Sequence, residues 1–330
     1  MKKSPAITIP SSDKAAVFSV SAVIPVYNSQ GSLAVLVKRL VDILSKVTKA
    51  FEIILVEDGS SDQSWGVIQK LSEDFPQVRG LRLMRNYGQH NALLCGIRAA
   101  KYETIVTMDD DLQQYPEEIP ALLNKLSEGH DVVYGTPRKL PHSLWRNLLS
   151  KYIKWAMARA MGIRNVRDIN AFRAFRTEIR KAFAEYRSPD LMLDVLLAWG
   201  TTRFATVEID YEPRRIGKSN YTFFKLFNQV MLMFTGFSTG PLRLASFIGF
   251  TFTIFGFGVF IYVVGRYFIQ GTSVPGFPFL GSIIAIFSGA QLFSLGIIGE
   301  YLARMFDRST ERPVYVVSET TEEETRTSKK

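Results

Sequence analysis

Apolar residues along the first half of the chain follow two alternating patterns. Contiguous β-branched and aliphatic runs occupy residues 17–25, 51–56, 81–84 and 104–106, and each reads as a strand buried on both sides. Between them the apolar positions recur every three or four residues. Leu33, Leu36, Val37, Leu40, Val41 and Leu44 make one such stripe, which predicts an amphipathic helix with Ser32 as its cap. Further helices are expected from Ser60–Asp62 to about Phe75, from His90 through Ala100, and from Pro116 to a stop at Gly129. A short strand follows at 131–135, a helix at 191–199 and a strand at 203–211. Strand and helix alternate, which predicts a parallel sheet with helices on both faces.

The pattern changes near residue 219. Residues 145–161 are amphipathic and basic, and residues 221–239 are aromatic and Met-rich with one lysine; both suit an interface. Arg243 and Arg266 then bracket an uncharged run over 244–265, and a second run covers 279–299 after a Gly/Pro segment at 271–278. Both have the length of a membrane-spanning helix. Basic residues gather before the first run and after the second, so the positive-inside rule puts both termini and the polar unit in the cytoplasm. Glu300 and Arg304, four apart, are expected to pair. Residues 312–317 can form a short strand, and the acidic end beyond is expected to be disordered. The expected organisation is a flexible lead (1–18), a polar α/β unit (19–218), interfacial amphipathic helices (219–243), two transmembrane helices (244–303) and a cytoplasmic tail (304–330).

Composition sharpens this picture. The net charge of +9 points to anionic partners, and the apolar final third favours lipid over nucleic acid. Cys95 is the only cysteine, so neither a disulfide framework nor a cysteine metal site is available. No long apolar run follows the N-terminal residues, so no signal peptide is expected. No G-x-G-x-x-G turn follows the first strand, which argues against a nicotinamide-dependent oxidoreductase.

The candidate chemistry lies at strand ends. Asp109, Asp110 and Asp111 directly follow the fourth apolar run, where an open α/β sheet binds ligands. Three adjacent carboxylates repel, and a hard divalent cation, Mg²⁺ or Mn²⁺, would offset that repulsion. Asp58 ends the second run ahead of a Gly-Ser-Ser turn, and the same crevice can receive it.

Ile24-Pro25-Val26-Tyr27-Asn28, Val56-Glu57-Asp58-Gly59-Ser60-Ser61-Asp62 and Met108-Asp109-Asp110-Asp111-Leu112-Gln113 resemble the signatures of family-two glycosyltransferases. Arg85-Asn86-Tyr87-Gly88-Gln89-His90 and Phe172-Arg173-Ala174-Phe175 resemble the polyprenyl-phosphate branch of that family. The resemblance implies an A-type, Rossmann-like nucleotide-sugar transferase domain with interfacial helices and a C-terminal two-helix anchor. It also implies a homo-oligomer, with a tetramer favoured. By position, Asp109, Asp111 and Gln113 would meet the metal and diphosphate, while Pro25, Tyr27, Asp58 and Asp110 would meet the nucleotide. Arg138, Arg167, Arg214, Arg215 and Lys218 would bind phosphate. Asp168 would act as a base or orient an arginine, and Arg173 would act with it in a loop that leads into a helix. The chain departs from the family's usual residues at Ser29 (often Glu), at Asn170-Ala171 (often Ser-Gly) and at Asn220 (usually Lys).

The expected activity is inverting transfer of a sugar from a nucleotide donor to a polyprenyl phosphate. Glucose from UDP-glucose is the first choice of donor, with GDP-mannose or a UDP-linked aminoarabinose as alternatives. A processive polysaccharide synthase would carry a Gln-x-x-Arg-Trp element and more spans, and neither is present. A flippase subunit or scaffold would have no need of the acid cluster.

Overall fold

The computed structural model describes residues 18–137, 170–188, 191–211, 240–270, 277–310 and 312–322. Contacts divide the chain into two units, Met1–Ser219 with Arg312–Lys330, and Asn220–Glu311.

The first unit is built on one eight-stranded sheet. In chain order the strands are β1 (Ser19–Val26), β2 (Ala50–Glu57), β3 (Val78–Leu83), β4 (Thr104–Thr107), β5 (Val132–Pro137), β6 (Arg173–Arg176), β7 (Phe204–Ile209) and β8 (Val317–Thr320). Their spatial order is β7-β5-β6-β4-β1-β2-β3-β8. The helices are α1 (Leu33–Val47), α2 (Ser64–Asp74), α3 (Gln89–Ala99), α4 (Ile119–Ser127) and α5 (Leu193–Gly200).

Near-continuous apolar strands arise because both faces are covered. Val20, Ala22, Ile24, Ile53 and Leu55 pack with α1, α2 and α4 in one core. Val23, Ile54 and Val56 point the other way and pack with α3 and α5. The period of two along each strand thus feeds two cores at once. At Gly96 on α3 an added Cβ would lie 2.4 Å from Val23 Cγ1, so the glycine lets the helix sit close on β1.

Three expectations are corrected. The sheet is mixed: β1, β2, β3 and β4 pair in parallel and β5 pairs in parallel with β7, but β6 runs antiparallel to both β4 and β5. Arg173 therefore begins a strand where a loop leading into a helix was expected, and a 3₁₀ helix, Thr177–Phe183, comes after it. At the tail, the strand begins at Val317 and pairs antiparallel with β3, and order continues past it. Val314 and Tyr315 pack instead beside α3, with Arg98 5.8 Å over the Tyr315 ring. The Thr321 hydroxyl accepts the buried Gly80 N–H at 3.0 Å. At α1, Ser32 occupies the cap position without a side-chain cap, and its hydroxyl donates to the Ser29 carbonyl at 3.1 Å.

The second unit contains helices α6 (Gly240–Gln270) and α7 (Phe277–Ser309). Windows at Leu242–Ile269 and Ile286–Ser309 are long and apolar enough to cross a membrane, and neither is buried by protein. Within α7 the expected pair forms, with Arg304 Nη2 2.7 Å from Glu300 Oε1. The interfacial stretches expected at 145–161 and 221–239 lie outside the described residues.

Candidate active site

The carboxyl ends of β1, β2 and β4 converge, and three turns leave them together. Beyond β1, Asn28 adopts a positive φ of 53°. Its side-chain oxygen accepts the Ser61 N–H at 2.8 Å, and its own N–H donates to Ser60 Oγ at 3.0 Å. These bonds join the turn after β1 to the turn after β2. Gly59, at φ +67°, lets that second turn press on a neighbour, because a Cβ there would lie 2.4 Å from the Asn86 nitrogen.

Asp58 is 2 % exposed and serves this junction. Its two oxygens accept the N–H groups of Tyr87 at 2.7 Å and Gly88 at 2.9 Å, which fixes the start of α3 over the strand ends. Burial nevertheless raises its pKa, outweighing those two bonds, and the charge of Glu57 adds to the rise.

The acid motif follows β4. Asp110 Oδ2 accepts the Tyr27 N–H at 3.1 Å and the Ser29 hydroxyl at 2.5 Å. Ser29 therefore anchors the motif to the β1 turn. Asp109 accepts from two amides, Gln89 Nε2 on Oδ1 at 2.6 Å and Gln114 Nε2 on Oδ2 at 3.0 Å. Asp111 is exposed, and its Oδ1 accepts the Gln113 N–H at 3.1 Å across a turn in which Leu112 has φ +59°.

These groups line a single cavity of about 360 Å³, within the range of small-molecule sites. Its walls include Pro25, Tyr27, Asp58, Asp109, Asp110 and Asp111, so the structure brings together six of the residues singled out from sequence. Asn86 and Gln89 line it as well. They belong to the Arg-Asn-Tyr-Gly-Gln-His run, which the sequence offered only as a likeness. Gln113 is engaged beside the cavity, its Oε1 accepting the Tyr211 hydroxyl at 2.6 Å. Arg173 is not in the cavity wall. It is 1 % exposed, ion-paired with Asp194 on α5, and it donates through Nε to Thr107 Oγ1 at 3.0 Å. Asp168, Arg138, Arg167, Arg214, Arg215 and Lys218 lie outside the described residues.

The electrostatics favour a cation. Burial, followed by the charges of Asp111 and Asp110, pushes the Asp109 carboxyl up to about 6. Burial raises Asp110 too, against the hydrogen bonds from Ser29 and Tyr27. Among the described residues no group of three His, Cys, Asp or Glu side chains forms a closed metal site. The donor set instead fits a hard cation held by one or two carboxylates and completed by substrate oxygens. Asp109 and Asp111 are the residues that would hold it.

This predicts a pH dependence. A carboxyl titrating near 6 is charged and able to bind a cation above that pH, and protonated below it. Apparent Mn²⁺ affinity is expected to fall by about tenfold per pH unit below this point. The effect on stability has the opposite sense. A folded-state pKa above the ordinary 3.8 contributes stability that is present at low pH and lost as pH rises through about 6. Calorimetric titration between pH 5 and 8 measures the first effect, and a flat affinity profile would exclude Asp109 as a ligand.

Comparison with known proteins accords with this geometry. The model for "Glycosyl transferase family 2" matches residues 21–185, which span the cavity and its supporting strands. The undecaprenyl-phosphate 4-deoxy-4-formamido-L-arabinose transferase of Shewanella sediminis is 35 % identical over 304 residues, covering 91 % of this chain and 92 % of the relative. Its counterpart in Pseudomonas aeruginosa is 34 % identical over 302 residues, covering 90 % and 89 %. A crystal structure of glucosyl-3-phosphoglycerate synthase from Mycobacterium tuberculosis is similar at 17 % identity and a TM-score of 0.49, over 66 % of this chain and 79 % of that one. That likeness is too remote to bear on the reaction. The expectation drawn from the strand-end motifs therefore holds: the chain belongs to glycosyl transferase family 2.

Proposed function

We propose that the protein transfers a sugar from a nucleotide diphosphate donor to a polyprenyl phosphate at a membrane surface. The observation that carries this reading is the extent of the match. Relatives named for transfer to undecaprenyl phosphate align over nine-tenths of the chain, through the cavity-bearing unit and the apolar helices alike. Those names favour a 4-deoxy-4-formamido-arabinose donor over the glucose first expected from sequence.

The residues suit such a donor. Tyr27 is half exposed at the cavity wall and offers an aromatic face to a base. Asp58 and Asp110 have carboxylates held by hydrogen bonds and edges that reach the cavity, where they can meet ribose or base. A divalent cation bound at Asp109 and Asp111 would offset the charge that develops on the departing diphosphate. A phosphate monoester is already anionic near neutral pH, so the acceptor needs little help from a base. In this reading Arg138, Arg167, Arg214, Arg215 and Lys218 bind the two phosphate-bearing substrates, and Asp168 acts as a base or orients an arginine. Gln113, tied to Tyr211, takes its place beside the diphosphate. The two helices anchor the enzyme where the lipid phosphate lies, with both termini cytoplasmic, and a homo-oligomer, expected as a tetramer, completes the reading.

The test uses purified protein, undecaprenyl phosphate and a panel of labelled donors. UDP-4-deoxy-4-formamido-arabinose is expected to give labelled lipid with kcat/KM about 10²-fold above UDP-glucose or GDP-mannose. Faster turnover with UDP-glucose would restore the first expectation. Absence of labelled lipid with every donor would overturn the acceptor.

A further inference from the structure

Several of this protein's buried acids take an arginine partner, whereas Asp58 is held by backbone N–H groups. Asp194 meets Arg173, Asp131 meets Arg203, and Glu52 meets Arg79. Asp109 is treated differently. Its Oδ1 receives Gln89 Nε2, from the first residue of α3. Its Oδ2 receives Gln114 Nε2, and its own N–H donates back to Gln114 Oε1 at 2.9 Å. The amide and the aspartate thus close a ring. Gln114 is 1 % exposed, and its main chain bridges to Tyr211 just beyond β7. Two elements distant in sequence therefore grip one carboxylate, one on each oxygen.

Neutral amides have a consequence that arginines would not. Each carboxylate oxygen can accept two hydrogen bonds or ligands. One amide per oxygen fixes the plane of the group and leaves the remaining lone pairs for another ligand. An arginine would fix it equally well, but it would also cancel the charge that attracts a cation. Among the described residues Asp109 forms no ion pair, although Arg173 contributes a background positive field.

We propose that Gln89 and Gln114 are positioning residues that hold Asp109 in the orientation its cation requires without neutralising it. The proposal rests on the metal–diphosphate reading of the cavity. Partners of this kind typically change metal affinity by about 10- to 100-fold when removed.

The experiment uses the full-length protein in detergent, with Mn²⁺ as probe and UDP present, and reads Mn²⁺ affinity by electron paramagnetic resonance. Gln89→Met and Gln114→Met keep side-chain length and delete the hydrogen bonds. Each is expected to weaken Mn²⁺ binding by about 10- to 100-fold. The metal-free melting temperature of Gln89→Met is expected to match the parent, because Gln89 is exposed. If Gln114→Met fails to fold, Gln89→Met decides alone. Unchanged Mn²⁺ affinity in the folded variants would overturn the proposal. A parent that binds no Mn²⁺ with UDP would instead remove the metal reading, and this inference with it.

Discussion

Asp111→Asn is expected to lower turnover by about 10²–10³-fold while leaving the fold intact. Asp111 sits exposed at the tip of the acid motif, and its one described hydrogen bond accepts the Gln113 N–H within the same turn. An asparagine oxygen can accept that bond, so little packing or turn geometry changes. On the proposed reading, the change removes one of the two carboxylates that would hold a cation against the diphosphate, and with it a formal negative charge. Stability should therefore survive, the nucleoside binding proposed for Tyr27 and Asp58 should survive with it, and the loss should fall on the chemical step. Single-turnover kinetics beside a thermal melt would separate these effects. Full activity in the variant, or in the parent under chelation, would take the metal out of the reaction.

The second large effect is on stability. Asp194→Ala is expected to destabilise the catalytic unit by about 3–5 kcal/mol, because it leaves the buried Arg173 guanidinium without its countercharge. Asp194 Oδ1 also accepts the Tyr134 hydroxyl at 2.8 Å, and Tyr134 is fully buried, so a second donor is orphaned. Burial alone would lower the Arg173 pKa, but the charge of Asp194 reverses that and raises it. A guanidinium keeps its proton at any accessible pH, so the variant cannot relieve the loss by deprotonation. The paired replacement Arg173→Met with Asp194→Leu should recover part of the stability, since it removes both charges together but still leaves the Tyr134 hydroxyl without its acceptor. Chemical denaturation of the detergent-solubilised protein provides the measurement. An Asp194→Ala variant as stable as the parent would mean that the buried pair contributes little to the fold.

These two residues also mark how far the sequence could be read. The strand ends were legible because each acid follows an apolar run buried on both faces, and a doubly wound sheet gives such ends one meeting place. Asp58, Asp109, Asp110 and Asp111 were therefore found together. Arg173 was legible as a conspicuous arginine but not as a buried one, because its countercharge stands on a separate helix. The same non-local cause hid β6. Its four residues, Arg-Ala-Phe-Arg, carry charge at both ends and show no run long enough to announce a strand. Gln89 and Gln114 were missed because a neutral amide has no periodic signature and acquires meaning only from the carboxylate it faces. The tail failed more narrowly. Val314 to Val317 has strand composition, but its first half is taken up by packing beside Cys95 and Arg98 on α3, so the ladder starts late.

That late strand bears on how the molecule is made. The edge of β3 is covered by β8, and the Arg82–Glu319 ion pair across it joins residues 237 apart. At ribosomal rates of about 5–20 residues per second, roughly 10–50 s pass between synthesis of one partner and of the other. Throughout that interval the nascent sheet carries an open edge, which invites pairing with other chains. Both apolar helices emerge within the same interval, so they can enter the bilayer before the sheet is closed. Attachment to the membrane would then keep unfinished molecules apart from soluble partners until the returning strand seals the edge. A chain shortened at Arg312 is accordingly expected to be cleared by quality control in the cell before its kinetics can be assayed.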